Sequence, residues 1–190
     1  MFNLFTLSFI GAVIFAMSSL TVHLLRSDLK TTKDVLSKYA VGSSGWLLTI
    51  GLYSMGFSQI LMSFALMNVY GISLGFQTLG LAGIGIVLVA VFKIEFSKKK
   101  SIRGLLHNLG AGIQFLFFPI SLLLLAETFE NSTLLAFSNT IGSTTLLLCL
   151  IIAYIYFGRL TDNLEYFGGI QKLNVLLITI WMVLTSATLM

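Results

Sequence analysis

Residues 91–121 read VFKIEFSKKKSIRGLLHNLGAGIQFLFFPIS, and this stretch decides the fold. A basic cluster of Lys98, Lys99, Lys100 and Arg103 leads into an apolar run that carries His107 one turn after the arginine. A run of about 20 apolar residues crosses a bilayer as a helix. Lysines and arginines at its start mark the cytoplasmic side.

Working outward, the whole chain has the same character. Of its 190 residues, 57% are hydrophobic and 9% charged. A soluble domain carries about 25% charged residues, so this chain lacks the means to cover a water-facing surface. The mean hydropathy of +0.98 also points to lipid as the main solvent. The single cysteine, Cys149, excludes an intrachain disulfide and a thiolate cluster. The first apolar run lacks a basic leader region and is too long for a signal core, so it reads as a span. The formal charge of +4 fits a membrane-surface bias and calls for no nucleic-acid partner.

Five more runs join the one that follows the basic cluster. The apolar pattern predicts helices over residues 4–25, 45–67, 72–92, 102–126, 133–157 and 168–189. These runs are continuous rather than alternating, which excludes a transmembrane barrel. The expected fold is all-α: a polytopic transmembrane bundle of six helices forming one domain over residues 1–190. All eleven lysines and arginines fall in or beside the first, third and fifth connections. That split predicts both termini outside and these three loops in the cytoplasm. Only Asn68, Tyr70 and Gly71 mark a turn between the second and third helices, so that hairpin is tight.

Polar residues inside spans are costly and face other helices or a cavity. His107, Gln114 and Ser121 recur every seven residues on one face of the fourth helix, with Arg103 one turn earlier. They form either a polar packing seam or a cavity lining. Pro119 should bend the outer half of that helix. His23, the other histidine, sits at the cytoplasmic end of the first helix. Two histidines at similar depth raise the idea of a haem, or of a metal shared with Asp28, Asp34, Asp162 or Glu165. No tight ligand spacing backs either, so no metal and no cofactor is expected, and hydrogen bonding or proton relay is the preferred role. The sixth helix carries Gln171, Asn174, Trp181 and Thr185 on roughly one face, and Lys172 at headgroup level. In the first cytoplasmic loop, Asp34, Ser37 and Lys38 fall on an amphipathic turn. Candidate ligand or cavity-lining residues are therefore His23, Asp34, Arg103, His107, Gln114, Ser121, Gln171 and Asn174. Candidate headgroup contacts are Lys98, Lys99, Lys100 and Lys172.

Three stretches resemble the DUF998 family of six-helix bacterial and archaeal membrane proteins. The first is SKYAVGSSGWLLTIG, Ser37 to Gly51. The second is VFKIEFSKKKSIRGLLHNLGA, Val91 to Ala111. The third is GGIQKLNVLLITIW, Gly168 to Trp181. In the second stretch the family opens its helix with H-G-x-x-H. His107 matches the second histidine, Arg103 replaces the first, and Lys93 to Glu95 depart from the family's preceding step. That replacement argues against a two-histidine metal site within this helix. Gln171 and Lys172 fit the family's glutamine–arginine pattern loosely. The layout is also distantly similar to that of the Frag1/DRAM/Sfk1 proteins, which are linked to lipid handling. The resemblance implies six helices and a prokaryotic cytoplasmic membrane. It implies no reaction.

Three functions remain open to the sequence. The first is a non-enzymatic protein that binds membrane lipids or assists a membrane-protein partner, including a second copy of itself. The second is a small transporter or channel using the His107–Gln114–Ser121 seam. The third is a lipid-modifying enzyme with His107 or His23 as base beside Asp34, Asp162 or Glu165.

Overall fold

In lipid no water is present to satisfy the backbone, so apolar segments of this length must close their hydrogen bonds within themselves. The computed structural model describes residues 3–95, 101–158 and 165–190. Among them are six helices long and apolar enough to cross a membrane. These are α1 (Leu4–Leu25), α2 (Gly45–Tyr70), α3 (Leu74–Val91), α4 (Ile102–Leu125), α5 (Ser132–Phe157) and α6 (Phe167–Leu189). A short 3-10 helix, Leu36–Ala40, lies in the first connection, and a 3-10 turn, Ala126–Thr128, continues α4. Polar caps open several of them. Asn3 accepts from the amide of Phe5, Ser101 from that of Gly104, and Asn131 from those of Thr133 and Leu134. The α2–α3 hairpin turns at Gly71, whose φ of 84° suits a residue without a Cβ. Helix α4 runs unbroken through Pro119.

The six helices form a closed ring in chain order, each packed on the next, with α6 returning to α1. Close approach along the first four comes from glycine. A Cβ on Gly11 would lie 2.8 Å from the Ser54 carbonyl oxygen, and one on Gly83 would lie 2.6 Å from that of Gly56. Between α3 and α4, a Cβ on either Gly85 or Gly110 would lie 2.7 Å from the other's carbonyl oxygen. Small residues do this work in membranes because lipid gives helices no hydrophobic reason to associate. The glycines of α3 are therefore used inside the ring. Large apolar side chains such as Met17, Phe57, Phe64, Ile102 and Leu150 point outward, as a lipid-facing surface requires.

The ring has a basic end, where the first, third and fifth connections lie, and an opposite end that is tightly filled. Towards that opposite end, Ser8, Ser58 and Ser186 join α1, α2 and α6 through hydroxyl contacts of 3.2 Å. Trp181, fully buried, donates from Nε1 to Ser138 Oγ at 3.0 Å and meets Phe118 edge to face at 5.8 Å. Ser121 belongs to this packing: it donates to the Phe118 carbonyl at 2.6 Å.

At the basic end the first connection folds over the ring and docks on the start of α6. Lys172 Nζ donates to the carbonyls of Thr31 and Asp34, both at 2.7 Å. Gln171 Oε1 accepts from the Leu36 amide at 2.9 Å, and the Gly169 amide donates to the Thr32 carbonyl at 2.6 Å. Gly168 is required here, since a Cβ would run into the Asp34 carbonyl. Arg26 pairs with Asp28 at 2.8 Å and also donates to the Val41 carbonyl, which fixes the start of the connection. Asp34 pairs with Lys38 at 2.5 Å and accepts from the Lys30 amide at 2.7 Å.

Burial of the Asp34 carboxyl would raise its pKa, but the hydrogen bonds from Lys38 and the Lys30 amide hold it below the usual value. The folded pKa is thus depressed, and the contribution of this pair is complete above the ordinary aspartate range of about 3.9. It is lost as pH falls through the depressed value. Amide exchange over Leu36–Ala40, corrected for intrinsic rates, should therefore stay flat from pH 7 to 5 and rise only in stronger acid. A rise already between pH 7 and 5 would rule out this anchor.

Candidate functional site

The axis of the ring is not filled throughout. In the half nearer the basic end lies a cavity of about 50 Å³. Its wall takes Phe15 from α1, Leu52 and Met55 from α2, and Ile86 and Val89 from α3. His107, Ala111, Gln114 and Phe115 come from α4, and Gln171, Val175 and Ile178 from α6. Leu36 and Ser37 of the docked connection close it from above. At 1.5 Å per residue, His107 lies about 8 Å and Gln114 about 18 Å from the start of α4, so the cavity reaches to mid-depth.

Its polar groups are few and sharply placed. His107 is 4% exposed, and its Nδ1 lies 2.7 Å from the Phe92 carbonyl. A carbonyl can only accept, so Nδ1 carries a proton. Gln114 is 2% exposed, and neither its amide nitrogen nor its amide oxygen has a partner among the described residues. A buried amide left unpaired costs about 1–3 kcal/mol, so the position is favourable only with something hydrogen-bonded there. The volume accommodates roughly three or four waters.

A second, larger space of about 280 Å³ lies between α1 and α6. Ala16, Ser19, Leu20 and His23 line one side, and Lys172, Val175, Leu176 and Thr179 the other. Phe15, Leu36 and Val175 are common to both spaces and form the partition. His23 donates from Nδ1 to the Ser19 carbonyl at 2.7 Å and stacks on Tyr39 at 4.2 Å. Its Nε2 has no partner among the described residues.

The candidate residues thus separate by location. His107, Gln114 and Gln171 meet in the axial cavity, and His23 and Lys172 in the lateral groove. Asp34 serves the docked connection. Arg103 is exposed at the start of α4, and Asn174 donates to the Thr145 carbonyl at 3.2 Å on α5, so neither lines the cavity. Ser121 is committed to the packing beyond it. Lys98, Lys99, Lys100 and Asp162 lie outside the described residues. Glu165 is exposed and lines neither space. No group of three or more histidine, cysteine, aspartate or glutamate residues among the described residues could hold a metal ion. The two histidines line different spaces, which removes the geometric motive for a shared haem iron. Sequence reading missed Phe15, Leu36 and Tyr39. A hydrophobic residue beside the SKYAV stretch was the only available signal.

Six apolar helices closed into a ring, with lipid-facing side chains outside, define an integral membrane protein. The chain belongs to the DUF998 family: the family model, described as "Protein of unknown function (DUF998)", matches residues 9–188. No curated protein and no solved structure matches it. The three stretches that carry the family resemblance meet at the axial cavity, through Ser37, through His107 and Ala111, and through Gln171, Val175 and Ile178.

Proposed function

We propose that the protein binds an amphipathic lipid at the axial cavity, which admits only a short segment of it, with the basic end facing the cytoplasm of a prokaryotic cell. The observation that carries this reading is Gln114, an unpaired amide in a wall that is otherwise almost wholly apolar. Such a wall suits apolar groups, and the amide supplies one hydrogen-bonding partner for a polar group of the ligand. Catalysis has less support, because no carboxylate lines either space among the described residues, and His107 therefore has no acid–base partner there.

The test is Gln114→Leu, read by native mass spectrometry and thermal unfolding in mild detergent. Leucine removes the unpaired amide and fills similar volume, so the ligand-free protein should gain about 1–3 kcal/mol. Retained lipid should fall at the same time. Gain of stability with undiminished lipid would sink the reading.

Transport is the second reading, favoured by the cavity's place on the ring axis and the Trp181 plug beyond it. Movement of a fluorescent lipid across sealed vesicles should then depend on His107. Absent movement, or movement unchanged by His107→Ala, rejects it.

A further inference from the structure

The groove between α1 and α6 has a polarity gradient that the axial cavity lacks. At 1.5 Å per residue, His23 lies about 3 Å and Lys172 about 8 Å from the basic ends of their helices, while Ala16 lies about 14 Å in. His23 and Lys172 therefore stand at headgroup depth with Leu20 level with Lys172, and Val175, Leu176 and Thr179 run beneath, the Thr179 hydroxyl spent on the Val175 carbonyl. Both polar groups are held by Tyr39: His23 stacks on its ring, and Lys172 Nζ lies 4.6 Å from the ring centroid. An ammonium has three donors, and Lys172 directs two at the Thr31 and Asp34 carbonyls. One donor remains on Lys172, while the His23 ring, whose Nδ1 proton goes to the Ser19 carbonyl, serves to hold Tyr39 beneath the ammonium. No carboxylate side chain lines the groove among the described residues, and Asp34 is paired with Lys38.

We infer that this groove is a binding site for an anionic phospholipid, its phosphate on Lys172 beside His23 and one acyl chain along Leu20, Val175 and Leu176. The occupant is a lipid rather than free phosphate because the cationic end opens onto an apolar trough facing the bilayer. It is anionic rather than zwitterionic because nothing in the groove would balance a choline. The site lies outside the axial cavity and uses different polar anchors, so it stands or falls apart from the lipid proposed there.

The test uses the full chain in vesicles of phosphatidylcholine with spin-labelled phosphatidylglycerol or spin-labelled phosphatidylcholine as probe. The wild type should hold phosphatidylglycerol about fivefold more tightly, the value expected for one lysine at an anionic surface. Lys172→Gln should bring the ratio close to one, and Lys172→Arg should keep it. Because Lys172 also holds the first connection, Leu20→Glu is the second variant. It places a carboxylate in the groove level with Lys172, leaves the connection untouched, and should lower the ratio without unfolding. In a Gln114→Leu background, which removes any share owed to the axial cavity, the dependence on Lys172 should persist. Equal retention of the two probes by the wild type overturns the inference. So does a preference that ignores Lys172→Gln and Leu20→Glu and follows Lys98, Lys99 and Lys100 instead.

Discussion

Trp181→Ala should destabilise the protein by about 3–5 kcal/mol, the range for truncating a large buried aromatic to alanine. Trp181 is 0% exposed, and its loss removes the edge-to-face contact with Phe118 and leaves Ser138 Oγ without its donor. The loss is one of packing, since lipid outside is as apolar as the ring interior. Trp181→Phe separates the terms: it keeps a ring against Phe118 and gives up the hydrogen bond, for about 1 kcal/mol. Unfolding in mixed micelles measures both. A variant as stable as the wild type would remove Trp181 from the role of packing centre for α4, α5 and α6.

Gly110→Leu should be nearly as damaging, at about 3 kcal/mol, the upper end for overpacking a tight contact. A Cβ there would lie 2.7 Å from the Gly85 carbonyl oxygen and 3.1 Å from the Val89 amide nitrogen. Backbone cannot turn aside as a side chain does, so α3 and α4 must separate, and the Val89–His107 wall of the cavity opens with them. The internal control sits two residues on. A Cβ on Gly112 meets nothing within 4 Å, and that position is exposed. Gly112→Leu should therefore stay within about 0.5 kcal/mol of wild type. If the two variants behave alike in thermal unfolding, the α3–α4 seam is not the constraint described.

Much of this architecture is legible in the sequence. Six apolar runs gave six helices with ends shifted by three residues at most, because an apolar run in lipid has no other way to satisfy its backbone. The heptad spacing of His107 and Gln114 correctly put them on one buried face. Their shared cavity was not legible. It depends on ring order, and no local pattern says that α6 returns to α1. Lys172 is the clearest instance. A basic residue at a helix start reads as snorkelling to headgroups, and nothing in that reading says that two of its donors serve the carbonyls of Thr31 and Asp34, about 140 positions earlier in sequence. Backbone acceptors leave no mark on residue identity. Arg103, Ser121 and Asn174 shared helices with true lining residues, and periodicity alone does not separate a side chain that reaches the axis from one that meets a neighbour.

The return of α6 to α1 has a consequence for how the protein is made. Helices α1 to α4 can pair one after another through their glycine seams as each enters the bilayer. The first connection rests on α2 already, but it gains its polar anchors only when α6, the last of the six to be synthesised, brings Gly168, Gln171 and Lys172 beneath it. Until then the axial cavity lacks its α6 wall and the lateral groove has only one bank. Neither space is complete in a partly inserted chain. Both are completed together, with the docking of one helix.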